Sequence, residues 1–263
     1  MISVIIPTYN RDKYLKKALQ SLKEQSFKDF EIIVVDDGSS DNTEEAVKDF
    51  EVKYLRENHQ GVSHVRNAGA RNAKGDVLVF FDDDAIADKD WLKNISEIML
   101  KEDMITGRVE PLTNNIWQYF APHYYQGETP KESPVLLEGN CAMRKKVFED
   151  LNGFDENLDY GHEGEEFLSR AKKYKVMYYP NMVICHDYAF GLRNYLRKQF
   201  KFGEKTAYLR RQKPPVKKQE VCFPSKKKPS LKEKILIKAV ARLGSFSHLL
   251  GQVYGNLKYK NVH

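Results

Sequence analysis

Four short apolar runs, at residues 2–6, 31–35, 52–55 and 77–81, alternate with stretches of helical periodicity at 13–25, 43–50 and 62–73. Parallel strands need long crossover connections, and helices supply them. This alternation therefore constrains the first hundred residues to a parallel sheet covered by helices, a Rossmann-like half. Asp41 or Asn42 suits the cap of the second helix. In open sheets of this kind ligands bind beyond the carboxyl ends of the strands. Thr8-Tyr9-Asn10 follow the first run, Asp36-Asp37-Gly38-Ser39 the second and Asp82-Asp83-Asp84 the fourth, so three strand ends bring polar groups to one rim.

Three consecutive carboxylates at a buried strand end repel one another unless a cation or a sugar hydroxyl takes up the charge. Asp82 and Asp84 have the D-x-D spacing, and hard oxygen ligands suit Mg2+ or Mn2+ holding a diphosphate. A solvated acidic loop is the plain alternative. Asp37 can accept a hydrogen bond from a base N–H, either N3–H of uracil or N1–H of guanine. Read alone, Asp36 to Ser39 is a turn and helix-start signal. Beside Pro7 and a Tyr9 able to stack on a base, it reads as a nucleotide pocket.

Past Trp91 the pattern loosens into strand-like 104–109, an aromatic-rich 117–125, a polar linker at 127–133, strand-like 136–144, a helix from Lys145, a helix over 165–174 and a strand ending in Ile184-Cys185-His186. This predicts three parts: a nucleotide-sugar-binding half over 1–100, an acceptor-binding and catalytic half of the same domain over 101–212, and a basic linker with an amphipathic helix over 213–263. The formal net charge of +6 divides unevenly: residues 193–263 carry +16 and residues 1–192 carry −10. An acidic body with a basic tail lacking interleaved stacking aromatics is not a nucleic-acid-binding profile, so no nucleic-acid partner is expected. Cys141, Cys185 and Cys222 form no CxxC pair and read as reduced thiols. With no apolar leader after Met1 and no run of about 18 apolar residues, the expected place is the cytoplasm, without a membrane span.

Ser3 to Asn10, Val35 to Thr43, Arg66-Asn67-Ala68-Gly69, Phe81 to Asp84, Gly139-Asn140, Gly153-Phe154-Asp155-Glu156 and Glu163 to Arg170 resemble, in order, the motifs of the inverting family 2 glycosyltransferases with the GT-A fold. The resemblance covers roughly four-fifths of the chain and implies an α/β fold with a Rossmann-like mixed sheet flanked by helices. It also implies a metal-dependent, inverting hexosyltransferase of polysaccharide synthesis, with UDP as the preferred nucleotide. Pro7, Tyr9 and Asp37 would then line the base, Asp82 or Asp83 would touch the ribose, and Asp84 would ligate Mn2+ or Mg2+, joined by Asp82 and by His186. Arg66 and Asn67 would support the nucleotide loop, and Gly139 and Asn140 would lie near the donor sugar. The base that activates the acceptor is expected among Glu163, Glu165 and Glu166. This chain departs from the family here, because Gly164 stands where Asp is usual. Glu163, expected in the loop before the helix, is the favoured carboxylate, with Glu166 orienting acceptor or backbone amides.

Leu236, Val240, Leu243, Phe246, Leu250, Val253 and Leu257 recur at three- and four-residue steps, so a final helix over 231–254 should carry one apolar stripe. Lys232, Lys234, Lys238 and Arg242, with Lys226 to Lys228 upstream, suit an anionic membrane surface and a lipid-linked or other glycan acceptor, the protein lying peripherally on the cytoplasmic face. Packing on the catalytic domain or on a second subunit is the competing expectation. Two other functions compete with the transferase: nucleotidyl transfer, for which the Gly-rich basic phosphate loop is lacking, and a non-catalytic nucleotide-sugar-binding protein, to which Gly164 is the hint.

Overall fold

The computed structural model describes residues 1–113, 115–212 and 229–260. Its elements are β1 (Ile2–Thr8), α1 (Asp12–Lys23), β2 (Phe30–Asp36), α2 (Thr43–Val47), β3 (Lys53–Arg56), α3 (Val62–Arg71), β4 (Val77–Phe81), β5 (Ile86–Ala87), α4 (Trp91–Ile98), β6 (Met104–Glu110), β7 (Lys131–Glu132), β8 (Asn140–Arg144), α5 (Lys145–Asp150), α6 (Glu163–Arg170), β9 (Met177–Cys185), α7 (Leu192–Leu209) and α8 (Leu231–Lys258). The aromatic stretch forms two 3-10 turns, Ile116–Phe120 and Pro122–Tyr124.

One mixed sheet runs in the order β3-β2-β1-β4-β8-β6-β9-β5, with β7 paired to β9. Strands β1 to β4 are parallel, as the alternation requires, whereas β8 joins β4 and β6 antiparallel. All seven residues of β1 are buried because helices cover both faces of the sheet. Successive side chains of a strand point to opposite faces, so Val4 and Ile6 enter the layer with Leu15, Leu19 and Trp91, while Ile5 enters the other with Val65, Ala68 and Phe154. A Cβ at Gly69 would lie 2.4 Å from Ile5 Cγ2, and the missing side chain is what lets α3 settle onto β1.

Several boundaries differ from the sequence pattern. Helix α2 is one turn long, and the carboxylate of Asp41, not the side chain of Asn42, accepts the Thr43 N–H. Helix α6 begins at Glu163, so that residue opens the helix instead of lying in the loop before it. The run at 136–144 becomes strand only from Asn140. Residues 213–228, which hold the expected linker, Cys222 and Lys226 to Lys228, fall outside the described residues, and Cys141 is a buried free thiol.

Helix α8 packs along α7, but not through the predicted stripe. Its buried positions are Val240, Gly244, Gly251 and Gly255. A Cβ at Gly251 would come within 1.9 Å of the Phe200 carbonyl oxygen, and one at Gly203 of α7 within 1.9 Å of the His248 carbonyl oxygen. Glycine lets two backbones approach where any side chain would hold them apart. The apolar stripe therefore turns outward, leaving Leu236 49%, Phe246 61%, Val253 53% and Leu257 71% exposed, with Val240 its one inward member. Among the described residues no helix is long and apolar enough to cross a membrane.

Candidate active site

The carboxyl ends of β1, β2 and β4 open onto one cleft of about 1410 Å³. Its shape begins with Asp36, which ends β2 fully buried. The Asp36 carboxylate accepts the Ser39 N–H at 2.9 Å, the Tyr54 hydroxyl at 2.6 Å and Arg56 Nη1 at 3.1 Å, and this fixes the turn that aims Asp37 into the cleft. Asp37 in turn accepts the Gln60 N–H at 2.7 Å and the Gly61 N–H at 3.0 Å. An ionised carboxylate has about four acceptor sites, so capacity remains for a base N–H. Tyr9, 42% exposed, sets its ring 4.4 Å from that of His59, and with Pro7 the two make an aromatic wall.

The second cluster lies beyond β4. Asp83 accepts the Thr8 hydroxyl at 2.8 Å, and burial pushes its carboxyl up to about 7 against the pull of Arg11. Burial also works against the charge of Asp84, yet His186 Nε2 at 3.0 Å and the Arg11 guanidinium hold it well below the usual carboxylate range. Burial likewise opposes the charged form of His186, and Asp84 more than offsets it, lifting the imidazole above its ordinary value. The other ring nitrogen, Nδ1, meets the Tyr124 hydroxyl at 3.3 Å, which orients the ring. Ligand atoms of Asp82, Asp84 and His186 lie within 4.8 Å of one another. Two carboxylates and an imidazole form a donor set that fits a divalent cation such as Mn2+ or Mg2+.

The buried Arg66 joins this cluster to α6, with Nη2 3.1 Å from Asp82 Oδ1 and Nη1 3.1 Å from Glu163 Oε1. Burial and the neighbouring Glu138 push the Glu163 carboxyl up to about 7, against Arg66. Glu165 is bonded to His162 Nδ1 at 2.9 Å. Gly139 abuts Asp82 so closely that a Cβ would lie 1.9 Å from Oδ2. Thus Pro7, Tyr9, Asp37, Arg66, Asp82, Asp83, Asp84, Gly139, Glu163, Glu165 and His186 all line one cleft.

Two expected site residues, Asn67 and Glu166, lie outside the cleft lining, and a third, Asn140, lines the cleft with its side chain engaged in the scaffold. Asn67 donates to the Phe154 carbonyl and to Glu156, both at 2.9 Å, and so fastens the loop after α5 in place of a nucleotide loop. Glu166 makes a two-pronged pair with Arg170, at 2.7 and 2.6 Å, whose guanidinium also donates to the Gly153 carbonyl. Glu166 lies one turn from Glu163, but its pairing with Arg170 holds the carboxylate out of the cleft that Glu163 and Glu165 line. The fully buried Asn140 side chain accepts the Trp91 indole N–H at 2.9 Å and donates to the Arg108 and Met182 carbonyls, tying β8 to β6 and β9.

Conversely, Arg11, Glu138, Tyr124 and Lys198 line the cleft although nothing in the sequence singled them out individually. Arg11 and Glu138 adjoin motif residues, and that adjacency was the available signal. Lys198 lies on α7, whose basic and aromatic residues Arg197, Lys201 and Phe202 also reach the cleft.

Residues 3–200 match the profile of Glycosyl transferase family 2. Glycosyltransferase GlyA of Streptococcus pneumoniae is 36% identical over 221 residues, a match covering 73% of this chain and 30% of GlyA, so the chain spans under a third of that relative's length. Among solved structures, the mannosyltransferase PcManGT of Pyrobaculum calidifontis, in complex with GDP-Man and Mn2+, superposes with a TM-score of 0.63 at 18% identity, covering 100% of this chain and 75% of that one. TarS 1–349 of S. aureus in complex with UDP-GlcNAc superposes with a TM-score of 0.57 at 20% identity, covering 76% and 66% respectively.

Proposed function

This chain belongs to glycosyl transferase family 2 and has the GT-A fold, and from that premise we propose that it transfers a hexosyl group from a nucleoside diphosphate sugar, UDP by preference, to a hydroxyl of a glycan or lipid-linked acceptor with inversion at the anomeric carbon. The observation that supports this most is the juxtaposition, in one cleft, of the Tyr9–Asp37 pocket with the Asp82–Asp84–His186 cluster. Asp37 takes the base N–H and Tyr9 with Pro7 covers the base face. Asp83, held by Thr8, and Asp82, held by Arg66, stand where the ribose joins the diphosphate. A divalent cation held by Asp84, His186 and Asp82 would neutralise charge on the departing diphosphate. Arg11 and Lys198 add positive charge on the same side.

Calorimetry with UDP and GDP, with and without Mn2+, tests this reading. UDP is expected to bind in a metal-dependent manner and more tightly than GDP. Asp37→Ala is expected to weaken it by about tenfold or more, the loss of a hydrogen bond to a charged group. Folded protein that binds neither nucleotide would end the proposal.

The acceptor side of the proposal includes contact with an anionic membrane surface through α8. Its outward apolar face, flanked by Lys232, Lys234, Lys238 and Arg242, supports this. Each basic residue near such a surface contributes about 1 kcal/mol. The protein is expected to sediment with phosphatidylglycerol-containing vesicles and not with phosphatidylcholine alone, and Phe246→Glu with Val253→Glu should release it. A concentration-dependent dimer without vesicle binding would assign the face to a second copy instead.

A further inference from the structure

Displacement at an anomeric carbon needs a group that takes the proton of the attacking hydroxyl. The three carboxylates of α6 are each held by a basic side chain: Glu163, 3% exposed, by Arg66; Glu165 by His162, itself tied to the Phe202 carbonyl of α7; and Glu166 by Arg170. Arg66, His162 and Arg170 fix where these side chains point, and the burial that raises the Glu163 carboxyl also leaves it little access for an acceptor.

A fourth carboxylate enters the cleft from another element. Glu138 lies in the turn before β8, next to Gly139, which touches Asp82, and it lines the cleft beside the candidate cation site. Its Oε1 accepts the Gly164 N–H at the start of α6, and among the described residues no hydrogen bond or ion pair engages Oε2. A Cβ at position 164 would lie 2.7 Å from Glu138 Oε1, 3.0 Å from its carboxyl carbon and 2.5 Å from the Leu136 carbonyl oxygen. The Glu138 carboxylate thus stands in the volume that a side chain at 164 would enter. Glycine there is the condition for Glu138 being where it is.

We propose, resting on the glycosyl-transfer reading, that Glu138 is the catalytic base of this chain, held by the Gly164 amide. Oε2 takes the proton of the acceptor hydroxyl as the hydroxyl oxygen bonds to the anomeric carbon. The bond from that carbon to the diphosphate oxygen breaks, and its electron pair leaves with the nucleoside diphosphate. The proton then passes from Glu138 to water at the cleft mouth. Glu163 becomes a positioning residue that keeps Arg66 on Asp82.

The test follows UDP release from UDP-glucose, UDP-galactose and UDP-N-acetylglucosamine, and GDP release from GDP-mannose, with water and free monosaccharides as acceptors. Glu138→Gln keeps an oxygen for the Gly164 amide, so the fold is retained. It is expected to lower kcat by about a hundredfold or more and to leave UDP affinity within roughly threefold of wild type. Gly164→Asp, which collides with Glu138, is expected to lose activity. Glu138→Gln turning over at the wild-type rate, or losing UDP affinity in step with kcat, would overturn the assignment while leaving the transferase reading intact. Folded wild-type protein that binds neither UDP nor GDP would remove the transferase reading and the assignment with it.

Discussion

Asp84→Ala is expected to abolish Mn2+ binding and to lower turnover by roughly a thousandfold. Among the described residues Asp84 is the carboxylate that pairs with His186, at 3.0 Å, and its removal leaves Asp82 and the imidazole without a third donor. Charge stabilisation by a bound cation contributes several kcal/mol at a departing diphosphate, which corresponds to about three orders of magnitude in rate. Titration of Mn2+ followed by its paramagnetic signal reads the binding directly, without an acceptor. The same titration has a pH dependence of definite sign. The metal requires a neutral imidazole, and Asp84 raises the affinity of His186 for its proton. Mn2+ affinity should therefore fall as pH drops through the neutral range, because proton and metal compete for Nε2. Unaltered Mn2+ binding in Asp84→Ala would show that the cation is held elsewhere.

Asn140→Ala separates a scaffold role from a donor-sugar role. The side chain is fully buried and satisfies the Trp91 indole and the carbonyls of Arg108 and Met182, and Gly107 approaches it without a side chain of its own. Alanine would leave up to three buried polar groups without partners, at about 1–3 kcal/mol each. Unfolding stability should drop by about 3–5 kcal/mol, and for a chain of this size Tm should fall by about 10 °C. A variant that melts like wild type but has lost affinity for the donor sugar would return Asn140 to the sugar site.

Both experiments bear on how far the residues could be read before the fold was known. The D-x-D carboxylates, Asp37 and Tyr9 were legible because parallel strands deliver their carboxyl ends to one rim, whatever the details of packing. Asn67 and Glu166 sit in the same kind of motif, yet their side chains point away from the cleft, and Asn140 lines the cleft while its side chain bonds to Trp91 and two carbonyls. A motif names positions in the chain, and a side chain's direction depends on the register of the element that carries it.

What the sequence by itself determined is the strands and helices of the first eighty residues, their parallel order and the rim where polar groups collect, whereas α4, α7 and the two-residue strands β5 and β7 were not legible in the pattern. Periodicity reports what each element buries on average, and crossover geometry limits how parallel strands connect. The tertiary structure alone decided which groups meet. Arg66 reaches Glu163, 97 positions along the chain, while holding Asp82, and Glu138 fills the space beside Gly164 from another element. It also decided which face of α8 is buried. The glycines look like gaps in an apolar pattern, yet they form the contact with α7, because the closest backbone approach goes to the residues with the least side chain. The apolar side chains are left facing outward.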